Sequence, residues 1–312
     1  MIAPVDVWAA VVVVASAAFG LCAPGVARCS PGRAATWLLS AGSVLVAGSA
    51  VVVPAIFVFV ALGQIRFFAG IAGWSASSLA AWFPIRWPVA VMSAVVLAAQ
   101  LTRSSKVLTG RGRRLMRAWQ ASRTFDTSLV VIPSDQLVAF ALPGWPGRVI
   151  ASRRLLQTLD GTERRALLAH EQAHLDQRHD LHRAAAAMAA AVNPMLSHVP
   201  AAVRLATERW ADETAAHAIG DRERVAATID RVAATTSGLA RLSAMAMGVG
   251  DADVALRVAA LLSQPRHRRP IWEALLVAVA VLAVAAALIG LYDTKQVFET
   301  AEQAYLHARS AR

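Results

Sequence analysis

Cysteine is nearly missing from this chain of 312 residues: Cys22 and Cys29 are the only two. Two thiols could pair, but they make neither a disulfide framework nor a Cys-rich zinc site, so any metal must be held by histidine and carboxylate. Lysine is equally scarce (Lys106 and Lys295 only), and no functional conclusion follows from that. No Lys or Arg precedes the first apolar run, Val7 to Leu21; only Asp6 does. A secretory signal peptide needs a positive front end, so that reading fails. Phe19-Gly20-Leu21 also lacks the small residue expected just before a lipidated Cys22. The run is read as a first transmembrane helix, short but extendable to Ile2. Charged residues make up only 16% of the chain and hydrophobic ones 57%, with a mean hydropathy of +0.50. That is too apolar for an ordinary soluble enzyme and points to membrane spans.

Acidic residues are absent from one stretch where position matters. Arg103, Lys106, Arg111, Arg113, Arg114, Arg117 and Arg123 carry seven positive charges with no acid among them. The net charge of +11 could serve nucleic acid. The clustering beside apolar segments favours a topology signal, and nothing aromatic beyond Trp119 accompanies the run. Nucleic acid is the weaker reading.

Taken in order, Arg28 and Arg33 share a loop with Pro24, Gly25, Pro31 and Gly32. Trp37 to Leu62 is free of charge and long enough to span with tilt, with a kink expected at Pro54. Phe67 to Phe83 is uncharged but rich in Gly and Ser. An interfacial or re-entrant helix, a loop and a weak span all remain open there, and the non-spanning reading is favoured. Trp82 and Trp87 look like interface anchors, and Trp87 to Leu101 gives a third span. The positive run after it places that end inside, hence the amino terminus outside and the Arg28/Arg33 loop inside.

Residues 124 to 265 are more polar. Leu129 to Ile132, Leu137 to Leu142 and Arg148 to Ala151 read as strands. Asp160-Gly161-Thr162-Glu163 is a capping box, with Asp160 as N-cap and Glu163 at the third helical position. It opens a long helix through Ala191, closed by Asn193-Pro194. Pro200 to Ile219 is a second helix, stopped by Gly220. Residues 222–236 and 251–263 are further helical candidates separated by Gly248 and Gly250, read as packing elements. Gln264 to Pro270 is a basic linker. Ile271 to Tyr292 is a fourth span, with Glu273 near its inner end and a tail from Asp293 expected outside.

Inside the long helix lies His170-Glu171-Gln172-Ala173-His174. Two histidines four apart sit one turn apart on one face, about 40° from eclipsed, so their nitrogens can converge on one ion. Glu171 sits beside them, placed to take a proton from a metal-bound water. The alternative is coincidence among surface residues. A catalytic zinc wants three protein ligands and one open position. One zincin class takes a histidine ten residues after the first, with a glycine three earlier; here those positions are Asp180 and Gln177, so that class is excluded. His179 lies about 180° round the helix from His170 and His182 about 120°, so neither is expected to reach the same ion. Both are expected on a solvated or polar face. The better third ligand is Glu208, with Asp212 on the same helical face as a hydrogen-bond acceptor for a ligand histidine. The bland alternative is two solvated acids on an amphipathic helix, and it loses once the histidine pair stands upstream. Glu213 is a weaker competitor, and His217 lies opposite Glu208.

The sequence His170-Glu171-x-x-His174 followed by Glu208-x-x-Ala211-Asp212 resembles the gluzincin membrane proteases: the CAAX prenyl endopeptidase and HtpX group, and the BlaR/MecR antirepressor group. Ala139-Phe140-Ala141-Leu142-Pro143-Gly144, Val149-Ile150-Ala151 and Leu155-Leu156 resemble the same families. There a strand before the active-site helix lines the cleft and can pair with substrate backbone, which makes Ala139, Phe140 and Ala141 the substrate-strand candidates. Three spans before the protease unit and one after resembles the BlaR/MecR layout. Val138 stands where the HtpX group often has asparagine, and no penicillin-binding sensor domain is expected after the last span. The resemblance implies a mainly α integral membrane protein of about four transmembrane helices. An α+β zincin-like unit, a small sheet plus active-site helices, would lie between spans three and four. The expected layout is a membrane region over 1–102, a cytoplasmic zinc metalloprotease domain over 103–270, a fourth span over 271–292 and a short extracytoplasmic tail over 293–312. Zn²⁺ on His170, His174 and Glu208, with Glu171 as base, would hydrolyse peptide bonds of a protein or peptide substrate at the bilayer, a transcriptional repressor among the candidates. A housekeeping membrane protease of the HtpX kind and a non-catalytic receptor or scaffold are the rivals. Oligomeric state is not readable.

Overall fold

The computed structural model describes residues 5–235, 251–263 and 270–310. Gly248, Gly250 and linker positions 264–269 lie outside the described residues. The described chain is mostly helical. Helices α1 (Val5–Cys29) and α2 (Gly32–Gly63) form an apolar hairpin. Short helices α3 (Arg66–Ala72) and α4 (Ala76–Trp82) follow, then the long α5 (Trp87–Ser122). Strands β1 (Leu129–Ile132), β2 (Ala139–Leu142) and β3 (Arg148–Ser152) precede α6 (Arg153–Thr158), α7 (Gly161–Asp176) and α8 (His179–Val192). A 3₁₀ turn at Pro194–Leu196 leads to α9 (Val199–Ile219), α10 (Arg222–Thr235), α11 (Asp251–Leu262) and α12 (Pro270–Ser310).

Three helices are long and apolar enough to cross a membrane: α1 from Val7, α2 and α12. The expected third span, Trp87 to Leu101, is not such a helix by itself. It is the first part of α5, which runs unbroken through the basic run, and it is apolar enough to count as a span only when α4 and α5, bent by 90°, are taken as one. Four spans are therefore not confirmed. α3 and α4 have seven residues each, about 10 Å of helix, far short of the ~30 Å hydrocarbon core. The last helix also departs from expectation. It does not stop at Tyr292 but continues to Ser310, with Asp293, Thr294, Val297 and Ala301 buried. Hydropathy marks where an apolar run ends; tertiary packing decides where the helix ends. Here Phe298 packs against Phe59 and Trp74.

Four hydroxyls inside the apolar hairpin are satisfied locally. Ser16, Thr36, Ser40 and Ser49 each donate to a carbonyl four residues back, which removes the cost of a bare hydroxyl in an apolar setting. The three-stranded sheet has the order β1-β3-β2. β1 runs parallel to β3, with Leu129 opposite Val149, and β2 runs antiparallel, with Phe140 opposite Ile150. No strand among the described residues pairs with the outer edge of β2.

α9 is seated directly on the hairpin. Arg209 donates through Nη1 to the carbonyls of Ala27, Arg28 and Ser30, a cationic cap on the last turn of α1. Gly32 lies so close to α9 that a Cβ there would meet Trp210 N at 2.6 Å and Trp210 Cα at 2.9 Å. Gly32→Ala should therefore lower stability by about 1–3 kcal/mol through overpacking. Gly48, with nothing within 4 Å of its Cβ position, is the control: Gly48→Ala should leave the thermal midpoint in detergent unchanged while Gly32→Ala lowers it.

Candidate metal centre

α7 begins at the expected capping box. Asp160 Oδ1 accepts from the Thr162 and Glu163 amides, and Glu163 accepts from the Asp160 amide. This fixes the register of the helix that presents His170, Glu171 and His174. α9 ends where Gly220 adopts a left-handed φ of 76°, and it presents Glu208 and Asp212 towards α7. The two Nε2 atoms of His170 and His174 are 3.2 Å apart. Glu208 Oε2 lies 3.5 Å from His170 Nε2, and Oε1 lies 3.6 Å from His174 Nε2.

These three edges suit a tetrahedral ion: zinc–ligand bonds of ~2.0–2.1 Å separate neighbouring donors by about 3.3 Å. The chemistry of the donors agrees. Asp212 Oδ1 is 2.9 Å from His170 Nδ1. A carboxylate only accepts, so that nitrogen carries a proton and a neutral ring turns its lone pair at Nε2 towards Glu208. Two imidazole lone pairs and a carboxylate facing one point call for a cation. The residues therefore fit a divalent metal.

Two guanidiniums hold the acids, and sequence reasoning found neither. Arg257 of α11 donates to both Asp212 oxygens at 2.8 and 2.7 Å and lies 3.1 Å from Glu208 Oε2. Arg183 of α8 donates to Glu208 Oε1 at 2.6 Å and to Thr207 at 2.9 Å. Burial pushes the carboxyls of Glu208 and Asp212 up. Arg257 and the surrounding cationic and hydrogen-bonding partners outweigh it, leaving Glu208 well below the usual carboxylate range and Asp212 below it too. Burial pulls His170 down, but its hydrogen bonds to Asp212 and Glu208 outweigh that and raise it to about 10. His174 is driven to about 2, chiefly by burial. Burial raises Glu171, with His170, the Ala141 backbone amide and Arg257 pulling it back.

Beside these groups lies a cavity of about 210 Å³. Leu167, Val225, Ile229 and Val254 line its apolar side, and His170, Glu171, Glu208 and Arg257 its polar end. β2, with Ala139, Phe140 and Ala141, runs alongside α7, and the Ala141 amide reaches Glu171.

Two expectations are corrected. The helix predicted from Asp160 to Ala191 breaks at Gln177 and Arg178, where Arg178 takes a left-handed φ of 50°. Gln177 is pinned to Thr214 of α9 at 2.8 Å, and Arg178 stacks over Trp145. No Gly or Pro marks the break, so periodicity could not show it. As a result His179 and His182 are not on a solvated face. They are 1% and 8% exposed; His179 meets His174, and His182 bonds Ser40 of α2 at 2.8 Å. Glu213 pairs with Arg222 away from the site, and His217 is exposed.

Two facing helices thus bring this donor set together, with a glutamate adjacent to it and an open-edged strand alongside. Residues 103–250, just under half of the chain, match the model of peptidase family M48, and metallopeptidases of that family are generally zinc-dependent. No curated protein and no solved structure matches the chain.

Metal uptake should be coupled to one proton. His170, at about 10 when metal-free, is charged at pH 8 and must become neutral to ligate, whereas His174, at about 2, already is. Calorimetric titration of the metal-free protein with zinc in buffers of different ionisation enthalpy should report about one proton released per ion at pH 8, falling towards none above pH 10. Without metal, the charge on His170 contributes stability in full below pH ~6.5, and this is lost as the pH rises through about 10.

Proposed function

We propose that the chain is an integral-membrane zinc endopeptidase that hydrolyses peptide bonds of a protein substrate at the cytoplasmic face. The observation that carries this reading is the convergence of His170, His174 and Glu208 within 4.8 Å of one another, with Glu171 on the same helix. Bound there, zinc supplies Lewis acidity towards water and the scissile carbonyl.

The chain's own groups do the rest. Glu171 is the base: its half-buried carboxyl, raised above the ordinary range, takes a proton from the attacking water and returns it to the leaving amine, a role that a raised pKa suits. Asp212 fixes the tautomer and orientation of His170. Arg257 keeps Asp212 and Glu208 ionised. The outer edge of β2, which carries Ala139, Phe140 and Ala141 and is covered by no described strand, can add an extended peptide as a further strand. The neighbouring apolar cavity accepts a hydrophobic side chain of that peptide. The positive run from Arg103 to Arg123 supports the cytoplasmic side for the metal centre. A cytoplasmic transcriptional regulator is one substrate that this placement reaches; an unfolded membrane protein is the other.

Purified full-length protein in detergent should cleave an unfolded protein substrate, lose that activity to a chelator and regain it with zinc. Glu171→Gln should retain stoichiometric zinc and lose about 10²–10⁴-fold in rate, and Glu208→Ala should lose zinc. Cleavage by Glu171→Gln at the parental rate would show that the base is misassigned. Cleavage of one regulator at one site favours signalling; broad cleavage of unfolded membrane proteins favours quality control.

A further inference from the structure

His174 is engaged on both sides of its ring. Its Nε2 faces His170 and Glu208, and its Nδ1 lies 2.7 Å from Nδ1 of His179. If Nε2 gives its lone pair to a metal, the single proton of the neutral ring is on Nδ1. That N–H donates, so Nδ1 of His179 must accept, and His179 carries its own proton on Nε2. This Nε2 is buried and has no hydrogen-bond partner. A buried donor left unpaired is uncommon and costs free energy. Its toleration here indicates that the ring is held for what its other nitrogen does.

The backbone bears the same mark. Continued α-helix would turn His179 about 140° away from His174. The break at Gln177 and Arg178 resets the helical phase and brings the two rings to 4.7 Å, nearly perpendicular at 77°. It does so by holding Arg178 at a φ of 50°, a conformation that costs a non-glycine residue roughly 1–2 kcal/mol. Trp210, at 5.1 Å from the His179 ring, closes the other side.

We infer that His179 is a positioning residue for the ligand His174, accepting the hydrogen bond from its Nδ1 as Asp212 does for His170. This rests on the zinc site proposed above. It assigns different supports to the two histidine ligands: a carboxylate clamped by Arg257 behind His170, and an uncharged imidazole behind His174. His182, three residues on, touches neither ligand. It ties α8 to the membrane hairpin through Ser40 and through an edge contact with Trp37 at 4.6 Å.

The test is zinc affinity of the full chain in detergent, measured by competition with a chromogenic chelator. His179→Ala should weaken binding about 10–100-fold. His179→Asn should stay within about threefold of the parent, because its side-chain oxygen falls near the position of the lost Nδ1. His182→Ala, which removes another buried imidazole from the same helix, should also stay within about threefold, as it touches no ligand. Should His179→Ala fail to fold, His179→Gln replaces it: its amide reaches the Nε2 position instead, and it should bind more weakly than His179→Asn. Parental affinity in His179→Ala, equal losses in His179→Ala and His182→Ala, or equal affinity in the Asn and Gln variants would overturn the assignment. A parent chain that takes up no zinc would overturn the metal site itself.

Discussion

Arg257 is the contact on which the candidate metal centre depends. Two carboxylates, Glu208 and Asp212, sit one turn apart on α9, with Asp212 1% exposed. Burying them unpaired would cost several kcal/mol each or force them to protonate. The guanidinium of Arg257 spans both, and Arg183 closes the remaining oxygen of Glu208. Only an ionised Asp212 compels His170 to carry its proton on Nδ1, and only that tautomer turns a lone pair towards Glu208. The order of dependence runs from α11 through α9 to α7, so the docking of a helix remote in sequence decides the ligand state of a histidine.

The same α9 ties this chemistry to the membrane hairpin. Glu208 and Arg209 are adjacent, about 100° apart round the helix. One points into the metal centre and the other into the turn between α1 and α2. Gly32 admits the backbone of Trp210 without a gap, and Trp210 in turn packs on His179. The metal centre is therefore built against the hairpin rather than hung from it on a linker. Displacement of α1 and α2 relative to α9 would move a ligand-bearing helix directly.

What could be read from the sequence was local. The capping box, the stop at Gly220, the three strands and the four-residue spacing of the histidines each depend on side chains within a turn or two of one another, and each is where its residues predict. Glu208 and Asp212 could be chosen because a helical face is also a local property. The break at Arg178 was not legible, because a left-handed arginine is imposed from outside, by the Gln177–Thr214 bond across to α9. His179 was misplaced for that reason alone: a phase argument holds only while the helix does. Arg183 and Arg257 had no spacing signal, being ordinary arginines among 29 until the fold brings them to α9. The length of α12 was hidden for a related reason. Asp293 and Lys295 end the apolar run, but Val297, Phe298 and Ala301 continue an inward-facing stripe that a hydropathy window does not resolve.

A proton on His170 and a divalent ion compete for one place in the charge balance. Without an ion, Glu208, Asp212 and the raised Glu171 face Arg183, Arg257 and a protonated His170, so the cluster holds a cation at its centre in either state. This arrangement lets the fold form before the metal arrives, because the acids are already compensated by Arg257 and Arg183. It would also set a cost on metal entry: an ion would have to displace a proton that Asp212 and Glu208 together hold on His170 to about pH 10. His174 bears no such cost, since it is already neutral and its supporting group is uncharged. The two ligand histidines of one motif, alike in sequence, are thereby divided. For an ion bound at this cluster, His174 and Glu208 would offer ready lone pairs and His170 would have to lose a proton first, so occupancy would depend on pH through one histidine and not through the other.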